Sequence, residues 1–218
     1  MTGDERHFRC ADDLLQISDV SRESLSALET YVALLLRWQE RVNLIGPATA
    51  ADIWHRHIAD SLQLLPHLPA DATTLIDIGS GAGLPGLALA VALKHNPLVT
   101  VHLVESNGKK AAFLREAVRT TGARVVVHQT RIESLDSEAL QAGVDVVISR
   151  AVAPLWKMLE LAHKSMENGA LGMFLKGRDV DSELTEAAKY WNIGYTRIAS
   201  LTEPGACILK IKEVTRVG

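Results

Sequence analysis

Apolar positions after residue 20 recur in steps of three and four. Leu25, Leu28, Val32, Leu35 and Leu36 fall on one helical face, with Ser21 where a helix N-cap belongs. A second stretch opens at Asp52 and sets Trp54, Ile58, Leu62 and Leu65 on one side until Pro66 and Pro69 end it. From Leu75 the rhythm changes. Short β-branched runs over 75–78, 100–104, 124–128, 145–149 and 171–175 alternate with helical stretches, one running from the first strand through His95, others over 109–120 and 155–166. Apolar runs separated by helices predict a parallel sheet covered on both faces. Near the end, 182–191 reads as helix, and 195–201 and 207–211 flank Pro204-Gly205 as two antiparallel strands would. The pattern divides the chain into a helical portion over 1–70 and a Rossmann-like α/β portion over 71–218.

The most informative stretch is Asp77-Ile78-Gly79-Ser80-Gly81-Ala82-Gly83-Leu84-Pro85-Gly86, where the first strand passes into its helix. Glycines there permit a tight turn and let backbone approach a ligand without a Cβ in the way, so a side chain at Gly81 is expected to fill the loop. Gly81, Gly83 and Gly86 satisfy G-x-G-x-x-G, and Glu105 ends the next strand, where a carboxylate can accept hydrogen bonds from ribose hydroxyls. This combination predicts an adenosine-containing ligand, although a structural turn followed by a surface Glu would be spelled the same way. The spacing does not separate a nicotinamide dinucleotide from S-adenosylmethionine. A small NAD-dependent oxidoreductase, however, must neutralise an alkoxide, which a Tyr-x-x-x-Lys pair would do. Here Tyr31, Tyr190 and Tyr195 are followed four residues later by Leu35, Gly194 and Ala199.

Composition narrows the class without choosing a function. With 47% hydrophobic and 22% charged residues over 218 positions, the chain is neither disordered nor disulfide-stapled. Its longest apolar stretch, 84–93, is broken by Pro85 and Gly86, so no membrane association is expected. The first ten residues carry Asp4, Glu5, Arg6 and Arg9 rather than the apolar centre of a secretory signal. Cys10 and Cys207 lack metal-ligand spacing, which fits a cytoplasmic protein with no metal. A net charge of −3 argues against bulk attraction to nucleic acid, yet Lys109, Lys110, Arg115, Arg119, Arg124 and Arg131 face only Glu105 and Glu116 in their window. That window is either a polyanion surface or a solvated helix face.

Several separated blocks carry a family resemblance. Arg37-Trp38-Gln39-Glu40-Arg41-Val42-Asn43-Leu44-Ile45, Arg56-His57-Ile58-Ala59-Asp60-Ser61-Leu62, the loop with its Leu84-Pro85-Gly86, Glu105-Ser106-Asn107-Gly108-Lys109-Lys110, Phe113-Leu114, Arg131-Ile132-Glu133, Ser149-Arg150-Ala151 and Leu175-Lys176-Gly177 follow one another in order. Together they resemble the bacterial glucose-inhibited division protein B family, the 16S ribosomal RNA guanine-N7 methyltransferases. The resemblance implies a class I S-adenosylmethionine-dependent fold, with a mostly parallel seven-stranded sheet and an N-terminal helical extension. It implies that Asp77 opens the cofactor loop and that Gly79, Leu84, Ile132, Glu133 and Arg150 contact S-adenosylmethionine, alongside Gly81, Gly83 and Glu105. Ile132 would cover an adenine face and Glu133 its edge. Ile132 is equally well read as core, and Arg150 as a surface bridge. The partner implied is 16S ribosomal RNA or the small ribosomal subunit, met by a monomer with no obligate protein partner.

The chemistry of guanine N7 agrees with what the chain lacks. After the fourth strand stands Ser149-Arg150-Ala151-Val152-Ala153-Pro154 in place of the Asn/Asp-Pro-Pro-Tyr of amino-group methylation, and neither cysteine is placed for covalent attack on a pyrimidine. N7 keeps its lone pair at neutral pH, so no general base is required and alignment must lower the barrier. Because N7 faces the deep, narrow groove of A-form RNA, the target should be a loop or splayed base. Lys109, Lys110, Arg115, Lys176 and Arg178 are expected to contact phosphates, with Arg56 and His57 as further candidates. Arg56 and Asp60, four apart, could equally pair with each other. His55 and His57 would point to different sides of a helix, against a metal site. A cofactor-gated RNA-binding protein without turnover is the competing reading.

Overall fold

In the computed structural model, which describes residues 7–17, 20–135, 143–150 and 153–218, Ser21 caps helix α1 (Arg22–Gln39) as the spacing predicts. Its hydroxyl accepts the Ser24 N–H at 3.1 Å, satisfying one of the unpaired donors of a first turn. Leu25, Leu28, Val32 and Leu35 are buried, but Leu36 is 39% exposed. One residue past Leu35 the helix has turned about 100°, and Tyr31 and Leu34 complete the buried face instead.

The second helical stretch departs from expectation. Pro47–Asp52 winds as a 3-10 helix, Trp54–Ala59 as a π-helix, and Asp60–Leu62 alone is α-helical. The wide π turn buries His55 and His57 together with Ile58 and Ala59. Such turns are uncommon and gather at functional sites.

The sheet has the predicted seven strands: β1 (Thr74–Ile78), β2 (Thr100–Val104), β3 (Val125–His128), β4 (Val146–Arg150), β5 (Leu171–Lys176), β6 (Trp191–Ala199) and β7 (Cys207–Arg216), in the order β3-β2-β1-β4-β5-β7-β6. The first five run parallel; β7 is antiparallel to both β5 and β6. β7 runs five residues past the expected 211, and β6 starts four residues before the expected 195 and ends at Ala199 rather than 201; the extension has a definable reason. A register shift between Gly194 and Tyr195 leaves Lys212 as an extra residue, so Ile211 and Val214 both face inward although three apart. Period-two reading loses the strand at that bulge. The helix expected up to Trp191 stops at Ala187, because Trp191 begins β6 and is itself buried.

Helices α2 (Gly86–Ala92), α3 (Gly108–Thr121), α4 (Leu155–Glu167) and α5 (Val180–Ala187) complete the layers. α2 ends short of His95, since Asn96-Pro97 follows. Every residue of α2 is buried, as expected of a helix apolar all round: β1 and β2 lie beneath it and α1 on its outer side. Leu28 and Leu35 of α1 share one apolar cluster with Leu87, Val101 and Ile148, so the helical portion before β1, the leader, packs directly into the sheet's core. Chain order reverses direction between β1 and β4, the point where ligands gather in open α/β sheets. The carboxyl ends of β1, β2, β4 and β5 open there onto a cleft.

Candidate functional site

The glycine loop leaves β1 with Gly79, Gly81 and Gly83 at φ of 72°, 55° and 86°, a region L side chains rarely adopt. Gly79 and Ser80 donate their N–H groups to the Val104 carbonyl, each at 3.0 Å, which fastens the loop to the end of β2. Glu105, the next residue, accepts Gly81 N–H at 2.9 Å and Asn107 N–H at 2.7 Å. Each carboxylate oxygen has a second lone pair, so Glu105 can still receive two hydroxyl groups. Asn107 also caps α3, accepting from Lys109 and Lys110 N–H.

Asp77 and Gly83 lie behind the cleft wall rather than on it. Asp77 Oδ2 accepts Gly86 N–H at 3.0 Å, joining β1 to the first turn of α2. Its Oδ1 has no hydrogen-bond partner among the described residues. Burial pushes the carboxyl up to about 7, against the pull of the Gly86 N–H. A folded pKa above the unfolded one means that the native state binds the extra proton between about pH 4 and 7. Stability from this group therefore falls as pH rises through that window. Asp77→Asn is expected to remove the slope, so that denaturant unfolding favours the variant progressively from pH 4.5 to 7.5; parallel profiles would show that Asp77 does not titrate there.

The loop is anchored from its other side by a residue that periodicity reads as core alone. Tyr31, fully buried on α1, donates its hydroxyl to the Ala82 carbonyl at 2.5 Å. The leader thereby fixes the glycine loop as well as covering α2. The expectation for Gly81 changes in its reason: a Cβ there would meet nothing closer than Gly79 O at 3.9 Å, so the obstacle is the positive φ and not filled space.

Across the cleft, Arg150 at the end of β4 gathers the leader. One terminal nitrogen donates to Asp60 Oδ2 at 3.1 Å and to the Arg56 carbonyl at 3.2 Å; the other lies 3.0 Å from His57 Nδ1. Arginine has only donors, so Nδ1 accepts and the His57 proton sits on Nε2, 2.7 Å from Thr49 Oγ1. Burial, followed by the charges of Arg150 and Arg56, lowers the His57 pKa to about 4. Asp60 Oδ1 accepts from Thr202 Oγ1 at 2.7 Å and Gln63 Nε2 at 2.8 Å, and His55 Nε2 lies 2.8 Å from the Thr202 carbonyl. The π turn and the loop between β6 and β7 thus form one wall, and the two histidines serve different partners.

The cleft between these walls encloses about 1130 Å³ and is lined by Gly79, Gly81, Leu84, Glu105, Ile132, Glu133 and Arg150 of the predicted site. That exceeds the ~300–1,000 Å³ of an ordinary small-molecule pocket, leaving room for an acceptor beside a cofactor. Ile132 is half-buried and Glu133 exposed, in a 3-10 turn following β3. Ala151 and Val152 of the block after β4 lie outside the described residues.

The expected phosphate contacts divide. Lys109 and Arg115 are exposed and Lys110 half-buried. Among the described residues, neither these nor Arg119, Arg124 and Arg131 form an ion pair. Lys176 is corrected: it is buried, with Nζ 2.6 Å from Glu183 and 3.3 Å from the Ala153 carbonyl, so it stands in the wall as half of a neutral pair. His57 is corrected likewise, because it is buried, neutral and bonded at both nitrogens. Arg56 does not pair with Asp60; it reaches Glu203, which also holds Arg178. Periodicity and spacing give Asp60, Thr202 and Glu203 no site role, since the contacts that join the two parts of the wall, Asp60 with Arg150 and Thr202, and Glu203 with Arg56, span 90 or more positions. The only sequence signal was the Arg56-His57-Ile58-Ala59-Asp60 block itself.

Comparison with known proteins adds to this geometry. Residues 24–206 match the family model described as rRNA small subunit methyltransferase G. The chain is 47% identical over 205 residues to a ribosomal RNA small subunit methyltransferase G from Paramagnetospirillum magneticum, covering 94% of this chain and 96% of that one. It is 48% identical over 202 residues to the protein of the same name from a Bradyrhizobium species, at 93% and 90% coverage. Among solved structures it is similar in fold to cofactor-bound Rv0187 from MTB, with TM-score 0.61, 13% identity and 96% and 99% coverage. A second likeness is to the tRNA methyltransferase TrmI from Aquifex aeolicus, with TM-score 0.54, 18% identity and 85% and 76% coverage.

Proposed function

The chain belongs to the rRNA small subunit methyltransferase G family, and from that premise we propose that its cleft aligns N7 of a guanine in 16S ribosomal RNA with the methyl group of S-adenosylmethionine. That cofactor supplies an electrophilic methyl on a sulfonium sulfur. The residues present suit it: a loop of positive-φ glycines gives close backbone approach, and Glu105 retains acceptor capacity for ribose hydroxyls. In this reading Gly79, Gly81 and Leu84 hold the cofactor's amino-acid end, Glu105 its ribose, and Ile132 and Glu133 the face and edge of its adenine, while Asp77 and Gly83 shape the loop from behind. Arg150 sets the far wall.

The observation that carries N7 over a nucleophile needing deprotonation is the state of the acceptor side. His57 is committed at both ring nitrogens, Asp60, Glu183 and Glu203 are each held by a cation, and Asp179, the further carboxylate on that side, is exposed to solvent. A nucleophile with a lone pair at neutral pH needs none of them as a base. What remains for the protein is orientation and exclusion of water. Lys109, Lys110 and Arg115, in no ion pair among the described residues, would hold RNA phosphates beside the cleft.

We further read the protein as a cytoplasmic monomer, with residues 1–70 acting as a helical cap that builds the acceptor wall and 71–218 as the cofactor-binding unit. No helix among the described residues is long and apolar enough to cross a membrane. The test is nucleoside mass spectrometry of small-subunit RNA from cells lacking the protein, before and after incubation with protein and S-adenosylmethionine. New 7-methylguanosine confined to one loop is expected; methylation at another atom would overturn the N7 assignment. Parallel reactions on free RNA and on assembled subunits identify the substrate form.

A further inference from the structure

Glu203 stands in the turn between β6 and β7 with one carboxylate oxygen on Arg56 and the other on Arg178. The two arginines come from separate parts of the chain, the π turn and the segment after β5. Arg178 also donates Nε–H to the Pro204 carbonyl at 3.1 Å. This cluster lies on the cleft's rim: Arg56 and Glu203 line the opening, and the Arg178 side chain is 70% exposed. Two guanidinium groups against one carboxylate leave several of their N–H donors uncommitted. A pair of planar forks converging on an oxyanion is the arrangement that recognises a phosphate bidentately. Of the neighbouring carboxylates, Asp60 is matched by Arg150 and Glu183 by Lys176, while Asp179 lines the same cleft, exposed; what Arg56 and Arg178 offer an incoming anion is therefore their uncommitted N–H donors rather than an unbalanced charge.

We propose that Arg56 and Arg178 form a clamp for an RNA backbone phosphate at the acceptor rim of the cleft, with the Glu203 carboxylate holding the phosphate's place until RNA displaces it. The inference rests on the cleft being an RNA site. Such a clamp makes binding an exchange of one anion for another: Glu203 keeps the arginines converged and rejects weak anionic competitors at some cost in affinity. The same exchange frees the turn between β6 and β7, which through Thr202 also holds Asp60, so phosphate capture is coupled to the wall facing the acceptor base.

The test is binding of deproteinised small-subunit ribosomal RNA to the full chain across a salt series, without turnover. Glu203→Gln should bind roughly three- to tenfold tighter, because the phosphate no longer competes with a charge. Glu160 is the matched control: it is bracketed by Lys157 at 3.0 Å and Arg216 at 3.8 Å, away from the cleft. Glu160→Gln should leave affinity unchanged, and adding Arg56→Gln and Arg178→Gln to Glu203→Gln should abolish the gain. Arg178→Gln alone, at an exposed position, should reduce the slope of log affinity against log salt by about 0.7, the share of one phosphate on a single strand. No gain from Glu203→Gln, an equal gain from Glu160→Gln, or an unchanged slope in Arg178→Gln would each overturn the clamp. Loss of the clamp alone leaves methylation of small-subunit RNA by the unaltered protein intact, whereas failure of the functional reading removes that methylation.

Discussion

Gly86→Ala is expected to lower stability by about 3 kcal/mol and to abolish measurable binding of S-adenosylmethionine. A Cβ at this position would stand 2.6 Å from Asp77 Oδ2, 2.6 Å from Leu103 Cδ2 and 2.7 Å from Asp77 Cβ. Neither neighbour is the loose end of a surface side chain: Asp77 and Leu103 are fully buried on adjacent strands. Relief requires α2 to lift from the sheet, an overpacking cost of ~1–3 kcal/mol. The lift also stretches the 3.0 Å bond from Gly86 N–H to Asp77, and exposing that imbalance inside the core adds ~1–3 kcal/mol. The glycine loop ends on this turn, so its geometry changes with it. Thermal unfolding should show a fall of roughly 10 °C for a chain of this size, and titration calorimetry should show no cofactor heat. Gly81→Ala is the graded comparison. Its Cβ makes only an ordinary contact with Gly79 O at 3.9 Å, so the positive φ alone is penalised, by about 1 kcal/mol, and weakened binding should survive. Equal effects at both positions would mean that close helix–strand approach is not what Gly86 supplies.

How much of this was legible beforehand depends on the range of the interaction. The parallel strands were readable because each is a short apolar run bounded by a turn, and the glycine loop because its conformation demands one residue type in a fixed local order. Both signals sit within ten residues. β7 beyond Ile211 was not readable, because the bulge at Lys212 changes which positions face inward, and a bulge is a property of two paired strands. The π turn escaped for a similar reason: Trp54, Ile58 and Leu62 have acceptable α-helical spacing, and the wider winding accompanies contacts of His55 and His57 with segments distant in sequence. Tyr31 fitted an apolar stripe so well that its hydroxyl carried no separate signal, yet that hydroxyl is the link to the loop. The cofactor side of the cleft is local and could be inferred. The acceptor side is assembled from the leader, the end of β4 and the turn before β7, and its pairings appear only once the chain is folded.

Arg150 is where those long-range pairings converge, and Arg150→Ala, by letting the wall that orients the acceptor shift, is expected to cut methylation on the order of 100-fold while also destabilising the fold. Its guanidinium serves the Asp60 carboxylate, the Arg56 carbonyl and the His57 ring at once. Removing one member of a buried ion pair costs ~3–5 kcal/mol; here both side chains remain 18% exposed, so water should recover part of that and place the loss near the lower end. The same substitution has a signature that simple destabilisation lacks. Arg150 is among the causes that hold the His57 pKa near 4, so without it the imidazole should titrate closer to its ordinary range, measurable by NMR. Protonation would then occur at Nδ1, the nitrogen that accepts from Arg150 in the intact wall. Arg150→Lys restores charge but, as a single ammonium on a flexible stem, cannot reproduce a planar fork that reaches three groups. It should therefore recover stability more than turnover. Full turnover in the lysine variant would reduce Arg150 to a charge balancing Asp60. Recovery of stability without turnover would establish that the orientation of the π turn, and with it the wall facing the acceptor base, is what the arginine provides.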